Sequence, residues 1–324
     1  MERYLQQSYQ QQVPRTKKAF HSNQELRKAV HTYCRRNESQ SLENVVSTYG
    51  YPIDKWDVSQ VTNFSRVFAM QMNFNGYIGS WNVSNATNMS RMFEYARGFN
   101  QPLDTWDTSN VKWMSRMFCK AHSFNQSLNK WDTSSLVDIS GMFIDAFSFN
   151  KPLSNWDTSN IESMRGTFWE ARAFNQSLVT WSTSKVTDMG YMFHDAVSFN
   201  QCLDNWDTSN VENMYSMFFN ARSFNQSLDT WDFARVTNPP DSNVTEIPAA
   251  QTAYLRKMKG GNISCMLHGT KIPRENVPAG LSPRVVFDKH SDQGIYTRIV
   301  AGGAGQGWIG HRSFINEKEG SSTH

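Results

Sequence analysis

A tryptophan that recurs every 25 residues constrains the fold of this chain more than any other feature. No insertion or deletion interrupts the period over its eight occurrences. They are Trp56, Trp81, Trp106, Trp131, Trp156, Trp181, Trp206 and Trp231. A strict period of this length is typical of solenoids, in which each repeat stacks on its neighbours. We therefore predict a repeat solenoid over residues 56–240, with seven full repeats and a partial eighth.

The first half of each repeat carries apolar residues at helical spacing. Counting the tryptophan as position 1, they recur at positions 6, 9, 12, 13 and 16, and position 13 is always phenylalanine. This spacing traces one face of a short α-helix. Position 4 is always serine, and in two repeats glutamate follows three residues later, which is a capping box. The two pairs are Ser159 with Glu162 and Ser209 with Glu212.

The second half predicts a short parallel strand and a corner, within positions 22–25 and 1–4. Leucine or isoleucine at position 23 and tryptophan at position 1 are three residues apart, so an alternating strand cannot bury both. We therefore expect a bend between them. The predicted fold class is an α/β repeat solenoid, with one short helix and one short parallel strand per 25-residue coil.

Two polar positions repeat as strictly as the apolar ones. Position 20 is asparagine in all seven repeats, between apolar neighbours, and position 2 is usually aspartate. A buried amide needs hydrogen-bond partners, so we predict an asparagine ladder that bonds to the backbone of adjacent coils. Near-identical aspartates also argue against catalysis, because an enzyme needs carboxylates in different environments.

The flanks of the array are predicted to differ from it. Residues 1–19 are predicted to be a disordered tail, and residues 20–55 a helical N-terminal cap that starts with a capping box at Ser22 and Glu25. Residues 241–324 share no period with the array and are predicted to be irregular, with two strands near 285–287 and 294–300. The Gly-rich run at 305–310 matches GxGxxG, but too few residues follow it for a nucleotide-binding unit.

The repeat resembles a known family. Its consensus, W-[DN]-[VT]-S-N-V-x-x-M-x-x-M-F-x-x-A-x-x-F-N-x-x-L, is similar to the BspA-like leucine-rich repeat, the 25-residue surface-protein repeat also found in mycoplasma lipoproteins. The resemblance covers about residues 20–235. It implies a leucine-rich-repeat-like solenoid and, for many members, adhesion or protein binding at cell surfaces, with no catalytic residues.

Composition and charge exclude several classes of function. The formal charge of +3 is too small for the concentrated basic face of a nucleic-acid binder. Four separated cysteines form no CxxC pair, so we predict neither a disulfide framework nor a metal site, and no cofactor. No apolar run is long enough for a membrane span. The first twenty residues lack the apolar core of a signal peptide, which predicts a cytoplasmic location, or a surface or secreted one if the N-terminus is incomplete.

Positions that vary between repeats are the candidates for binding. Position 11 carries three successive arginines, which form either a solvated face or a site for an acidic partner. Positions 14 and 8 carry large apolar residues, which either pack between neighbouring helices or form an exposed patch for a protein. The candidate partner-binding residues are Arg66, Arg91, Arg116, Trp113, Ile144, Trp169 and Phe219.

These observations predict a non-enzymatic module that binds a protein, or alternatively a glycan, on the solenoid surface. Two alternatives stay open. One is an enzyme whose chemistry lies in residues 241–324, where Cys265 is a conceivable nucleophile and the repeats serve as a scaffold. The other is a surface adhesin that lacks its signal sequence.

Overall fold

The computed structural model describes residues 17–35 and 39–237, together with two short strands further along the chain. Helix α1 spans Asn23–Arg35, helix α2 spans Ser39–Tyr49, and a 3-10 helix spans Ile53–Lys55. Strand β1, Val286–Phe287, pairs antiparallel with strand β2, Thr297–Arg298. Residues 1–16 and the rest of 238–324, including Cys265 and the Gly-rich run, lie outside the described residues.

Helix α1 covers the edge of the first repeat. It begins after Ser22, whose hydroxyl accepts the Glu25 backbone N–H at 3.2 Å as an N-cap. The amide nitrogen of Asn23 then donates to the carbonyl oxygens of Asn63 at 3.0 Å and Ser65 at 2.8 Å. In later repeats the equivalent carbonyls accept N–H groups from the repeat before. Asn23 therefore supplies the donors that a preceding repeat would supply.

The chain already packs against the cap before residue 20. The Lys18 backbone N–H donates to the Thr48 carbonyl at 3.0 Å. Phe20 is fully buried, and its ring lies 4.0 Å from the Tyr49 ring and 5.3 Å from the Trp56 ring, measured between centroids. Residues 17–19 thus belong to the packed cap and not to the predicted tail.

Three columns of aromatic rings run through the centre of the repeats. Phenylalanine rings at position 13 stack on their equivalents in the next repeat at 5.3–5.8 Å. Those at position 19 do so at 5.9–6.1 Å. In the tryptophan column, Trp156 and Trp181 lie 6.1 Å apart with ring planes 3° from parallel. Successive repeats therefore stack in register through their largest side chains.

Turns occupy the segment for which the sequence predicts a helix. The described residues 56–237 contain no helix. Backbone N–H groups at positions 9, 11, 13 and 15 donate to the next repeat, as Phe68 does to the Met92 carbonyl at 2.8 Å. Residues between them close i→i+3 turns, as Val67 does to Phe64 at 3.2 Å. Positions 11 and 15 have φ between 51° and 64° in every repeat, which an α-helix excludes.

The short parallel strand predicted for each repeat is also absent from the described residues 56–237. Residues 56–237 contain only isolated parallel bridges, and these link position 8 of successive repeats rather than positions 22–4. The bend between positions 23 and 1 is confirmed, because the backbone N–H of each repeating tryptophan donates to the carbonyl three residues earlier at 3.0–3.2 Å. The capping boxes predicted within the repeats are absent. The Ser159 N–H donates to Asp157 Oδ1 at 2.9 Å and caps no helix.

The predicted asparagine ladder is confirmed. From the second repeat onward, each backbone N–H at position 20 donates to the side-chain oxygen of the previous asparagine at 2.8–3.0 Å. The predicted burial of these asparagines is wrong: they are half-buried at the inner rungs and exposed at Asn75 and Asn225. The aspartates at position 2 are likewise structural. The Ser134 hydroxyl and N–H, for example, hydrogen-bond to Asp132 and hold the pKa of that carboxyl below its usual value.

Candidate functional site

The variable residues at position 11 lie in one column because their backbones are hydrogen-bonded from repeat to repeat. Arg66 N–H donates to the Ser90 carbonyl at 3.1 Å, and Arg91 and Arg116 make the equivalent bonds at 2.8 Å. The side chains of Arg66 and Arg116 are exposed and form no ion pair within the described residues. Arg91 Nη1 lies 3.8 Å from Glu94 Oε2, which offsets part of its charge.

Apolar side chains from position 14 continue this column where position 11 becomes glycine. A Cβ atom added to Gly141 would lie 2.7 Å from Ile144 Cδ1 and 3.2 Å from Arg116 Cγ. One added to Gly166 would lie 3.9 Å from Ile144 Cδ1 and 3.7 Å from Trp169 Cε3. The last of the three arginines, Arg116, therefore meets the first apolar residue, Ile144, over Gly141, where a larger side chain would meet both.

The line ends in a cluster of aromatic rings on the last three full repeats. The Trp169 ring lies 5.1 Å from Tyr191 and 5.2 Å from His194, and His194 lies 4.8 Å from Phe219. All four residues are partly exposed. Trp169 Nε1 is buried and has no acceptor within the described residues, so its polar edge faces inward. The part of the indole that faces solvent is carbon.

We call this line the surface stripe and divide it into two halves. The basic half consists of Arg66, Arg91 and Arg116. The apolar half consists of Ile144, Trp169, Tyr191, His194 and Phe219. Because the repeats contain no helices, the predicted packing between neighbouring helices does not occur. The apolar residues instead contact one another from turn to turn and stay partly exposed.

Charged residues at position 15 lie beside the stripe and change sign along it. Lys120 Nζ lies 3.5 Å from Asp145 Oδ2, and the following repeats carry Glu170 and Asp195. Partial burial and the neighbouring Asp145 raise the pKa of Glu170, although Arg172 Nη2 lies 3.2 Å from its carboxylate. Carboxylates therefore lie beside both halves: Glu94 alone in the basic half, and one from each of three successive repeats along the apolar half.

Trp113 lies apart from the other apolar candidates. It occupies position 8, where parallel bridges join it to Asn88 and Asp138. Its exposed fraction is 43%, and no ring contact within the described residues links it to the apolar half. The structure thus brings together six of the seven candidate residues and leaves Trp113 in a different column.

Three residues of this surface were missed as candidates. Tyr191 and His194 join Trp169 to Phe219, and the Arg165 guanidinium lies 4.8 Å from the centre of the Tyr191 ring. Tyr191 and His194 occupy positions 11 and 14, so the variability of these positions was a usable signal. Arg165 is at position 10, and only the stacking of the coils places it against Tyr191.

Groups with the chemistry of a catalytic or metal centre are scarce in this part of the chain. Within the described residues, no three His, Cys, Asp or Glu side chains are placed to share a metal ion. Cys119 is buried, and burial raises the pKa of its thiol to about 11. None of the helices in the described residues has the length and apolar character needed to cross a membrane.

The cysteines provide a direct test of the packing. At pH 8 a thiol with a pKa of about 11 is ~0.1% thiolate, and thiolate is the reactive form. We expect iodoacetamide to modify the exposed Cys202 at least about tenfold faster than the buried Cys119. Peptide mapping by mass spectrometry over a time course measures both rates. The rates in urea, where both thiols are accessible, serve as the reference. Equal rates for Cys119 and Cys202 in the folded protein would contradict the stacking of the repeats.

Comparison with known proteins identifies a family for the repeat region. No curated protein and no solved structure gave a significant match to this chain. A family described as "Mycoplasma protein of unknown function, DUF285" matches residues 37–156 and again residues 137–246. The two overlapping matches include all of the described repeat residues, 56–237, and more than half of the chain. The chain therefore belongs to the family described as Mycoplasma protein of unknown function, DUF285.

Proposed function

We propose that this chain is a non-enzymatic interaction module of the solenoid type, and that it binds a protein partner on the surface stripe. One observation carries the proposal: four aromatic side chains from three successive repeats form a partly exposed cluster at positions that vary between repeats. Aromatic residues are enriched where proteins bind one another, because they bury a large area at a small cost in conformational entropy.

A contrast between columns supports this assignment. The aromatic residues at positions 1, 13 and 19 are buried, and their uniform identity is explained by stacking. Position 14 needs no aromatic residue for stability, since Ala69 and Glu94 occupy it in the first two repeats. A scaffold alone therefore does not account for Trp169, His194 and Phe219. The resemblance to surface-protein repeats also favours binding over catalysis.

The test is affinity capture from cell extract and from a surface-protein fraction, using the full chain. The altered protein carries Trp169→Ala and Phe219→Ala. Its matched control carries Tyr77→Ala and Val179→Ala, two apolar side chains away from the stripe with exposed fractions of 45% and 40%. Central aromatic residues of interfaces contribute about 2 kcal/mol or more, so we expect capture to fall about thirtyfold in the stripe variant only.

Other outcomes separate the alternatives. If the stripe variant recovers the same proteins in the same amounts as wild type, the stripe is not the binding site. If the captured material resists protease but is lost after glycosidase treatment, the partner is a glycan rather than a protein. Circular dichroism of each variant shows whether the repeats remain folded.

A further inference from the structure

We infer that the partner presents to the surface stripe an extended peptide segment of about nine residues, acidic at one end and apolar at the other. This inference rests on the proposed function and specifies the chemistry of the partner. It also fixes a direction, with the acidic end on the first three repeats and the apolar end on the last four.

The length follows from the backbone contacts between repeats. The stripe crosses seven repeats, and their backbones are hydrogen-bonded to one another along it. Backbones paired in this way lie about 4.8 Å apart, so six steps span roughly 29 Å. An extended chain covers about 3.3 Å per residue and needs about nine residues for that distance.

The charge of the segment's first end follows from the basic half. Arg66 and Arg116 are exposed and have no carboxylate partner within the described residues. Arg91 lies between them and is only partly offset by Glu94 at 3.8 Å. Three like charges on adjacent coils repel one another. Carboxylates of a partner would relieve that repulsion and form charge-assisted hydrogen bonds with the guanidinium groups.

The apolar character of the other end follows from the remaining four repeats. Ile144, Trp169 and Phe219 present carbon surface, and the indole N–H of Trp169 is turned inward. Asp145, Glu170 and Asp195 border this half, and each lies within 3.5 Å of a basic side chain. The Arg165 guanidinium likewise lies 3.7 Å from Asp188. The basic groups of this half are thus paired already and leave no excess positive charge for a further acidic group. An acidic segment that continued along the whole stripe would therefore bind poorly over its second half.

The same contrast excludes a uniform polyanion as the preferred ligand. A nucleic acid or a sulfated glycan carries negative charge along its full length, and half of the stripe offers it carbon surface beside basic groups that are already paired with carboxylates. A peptide can change from acidic to apolar within a few residues. It also spans the stripe without a folded partner surface of matching shape.

The test is selection from a displayed library of random ten-residue peptides against the immobilised full chain. We expect at least about tenfold enrichment of peptides with Asp or Glu in one half and aromatic or aliphatic residues in the other. A variant with Arg66→Glu, Arg91→Glu and Arg116→Glu should enrich Lys or Arg in place of the acids and keep the apolar preference.

The matched control has the same change in net charge away from the stripe: Lys55→Glu, Lys130→Glu and Lys185→Glu. These side chains contact Asp54, Asp104 and Asn160 and none of the stripe. The control should select the same peptides as wild type. The inference is overturned if wild type enriches no such peptides, or if the charge-reversed stripe selects an unchanged set.

The selection also separates failure of this inference from failure of the proposed function. Peptides that lack the acidic and apolar halves, yet lose binding in the Trp169→Ala and Phe219→Ala protein, would leave the stripe as the binding site and refute only the partner chemistry. Peptides whose binding is unaffected by any stripe variant would refute both.

Discussion

Replacing Phe168 by alanine should lower the free energy of unfolding by about 3–5 kcal/mol. Phe168 is fully buried at position 13 of the fifth repeat. Its ring lies 3.9 Å from Phe174 in the same repeat, and 5.7 Å and 5.6 Å from Phe143 and Phe193 in the repeats on either side. The cavity would open in the middle of the stack, where neither neighbour can collapse into it without losing its own contacts.

The matched control for this prediction is Phe147→Ala, the same substitution at the surface. Phe147 is half-buried and contacts His122 at 4.6 Å and the Arg172 guanidinium at 4.9 Å. We expect it to cost about 1 kcal/mol or less. Urea denaturation followed by tryptophan fluorescence measures both values. Equal losses in the two variants would show that the phenylalanine column does not stabilise the stack as described.

Replacing Asn150 by alanine should cost about 1–3 kcal/mol, although Asn150 is polar and only half-buried. Its side-chain oxygen accepts the backbone N–H of Asn175 at 3.0 Å and the side-chain amide of Gln176 at 2.9 Å. Alanine leaves the backbone N–H of Asn175 without an acceptor between two stacked coils. Gln176 can turn to water, so the penalty comes mainly from the backbone donor.

Two further variants isolate the ladder bond. Asn150→Asp keeps an acceptor oxygen at the same place and should restore much of the stability at pH 7. Asn225→Ala alters the last described rung, whose side chain accepts no hydrogen bond within the described residues, and should cost clearly less than Asn150→Ala. If Asn225→Ala and Asn150→Ala were equally destabilising, the effect would come from local conformation and not from the ladder.

The positions that join successive repeats could be identified from one sequence because the repeat supplies its own comparison. Phe168 and Asn150 are each one member of a column that is identical in all seven repeats. A residue that must contact its own equivalent in the next coil cannot vary freely. The start of α1 was also predictable, since Ser22 and Glu25 form a local capping pattern whose bond to the Glu25 N–H is present.

The path of the backbone within each repeat was not predictable from the apolar spacing. Residues at positions 6, 9, 13, 16 and 19 are buried, a spacing of three to four that a helix and a series of three-residue turns share. The structure selects turns because alternate N–H groups bond to the next coil. Arg91 and Tyr95 have positive φ, which residues of these types seldom adopt. No local sequence pattern indicates this conformation.

The sequence by itself determined the period, the aromatic columns, the asparagine ladder and the variable positions, because all of these are properties of a single repeat copied seven times. Only the tertiary structure decided which variable residues meet. The side chains of Arg116 and Ile144 lie over the same glycine, Gly141, and His194 contacts both Trp169 and Phe219, because coils 25 residues apart lie against one another. Trp113 lies in another column for the same reason: neighbours across coils are set by position within the turn and not by similarity of side chain.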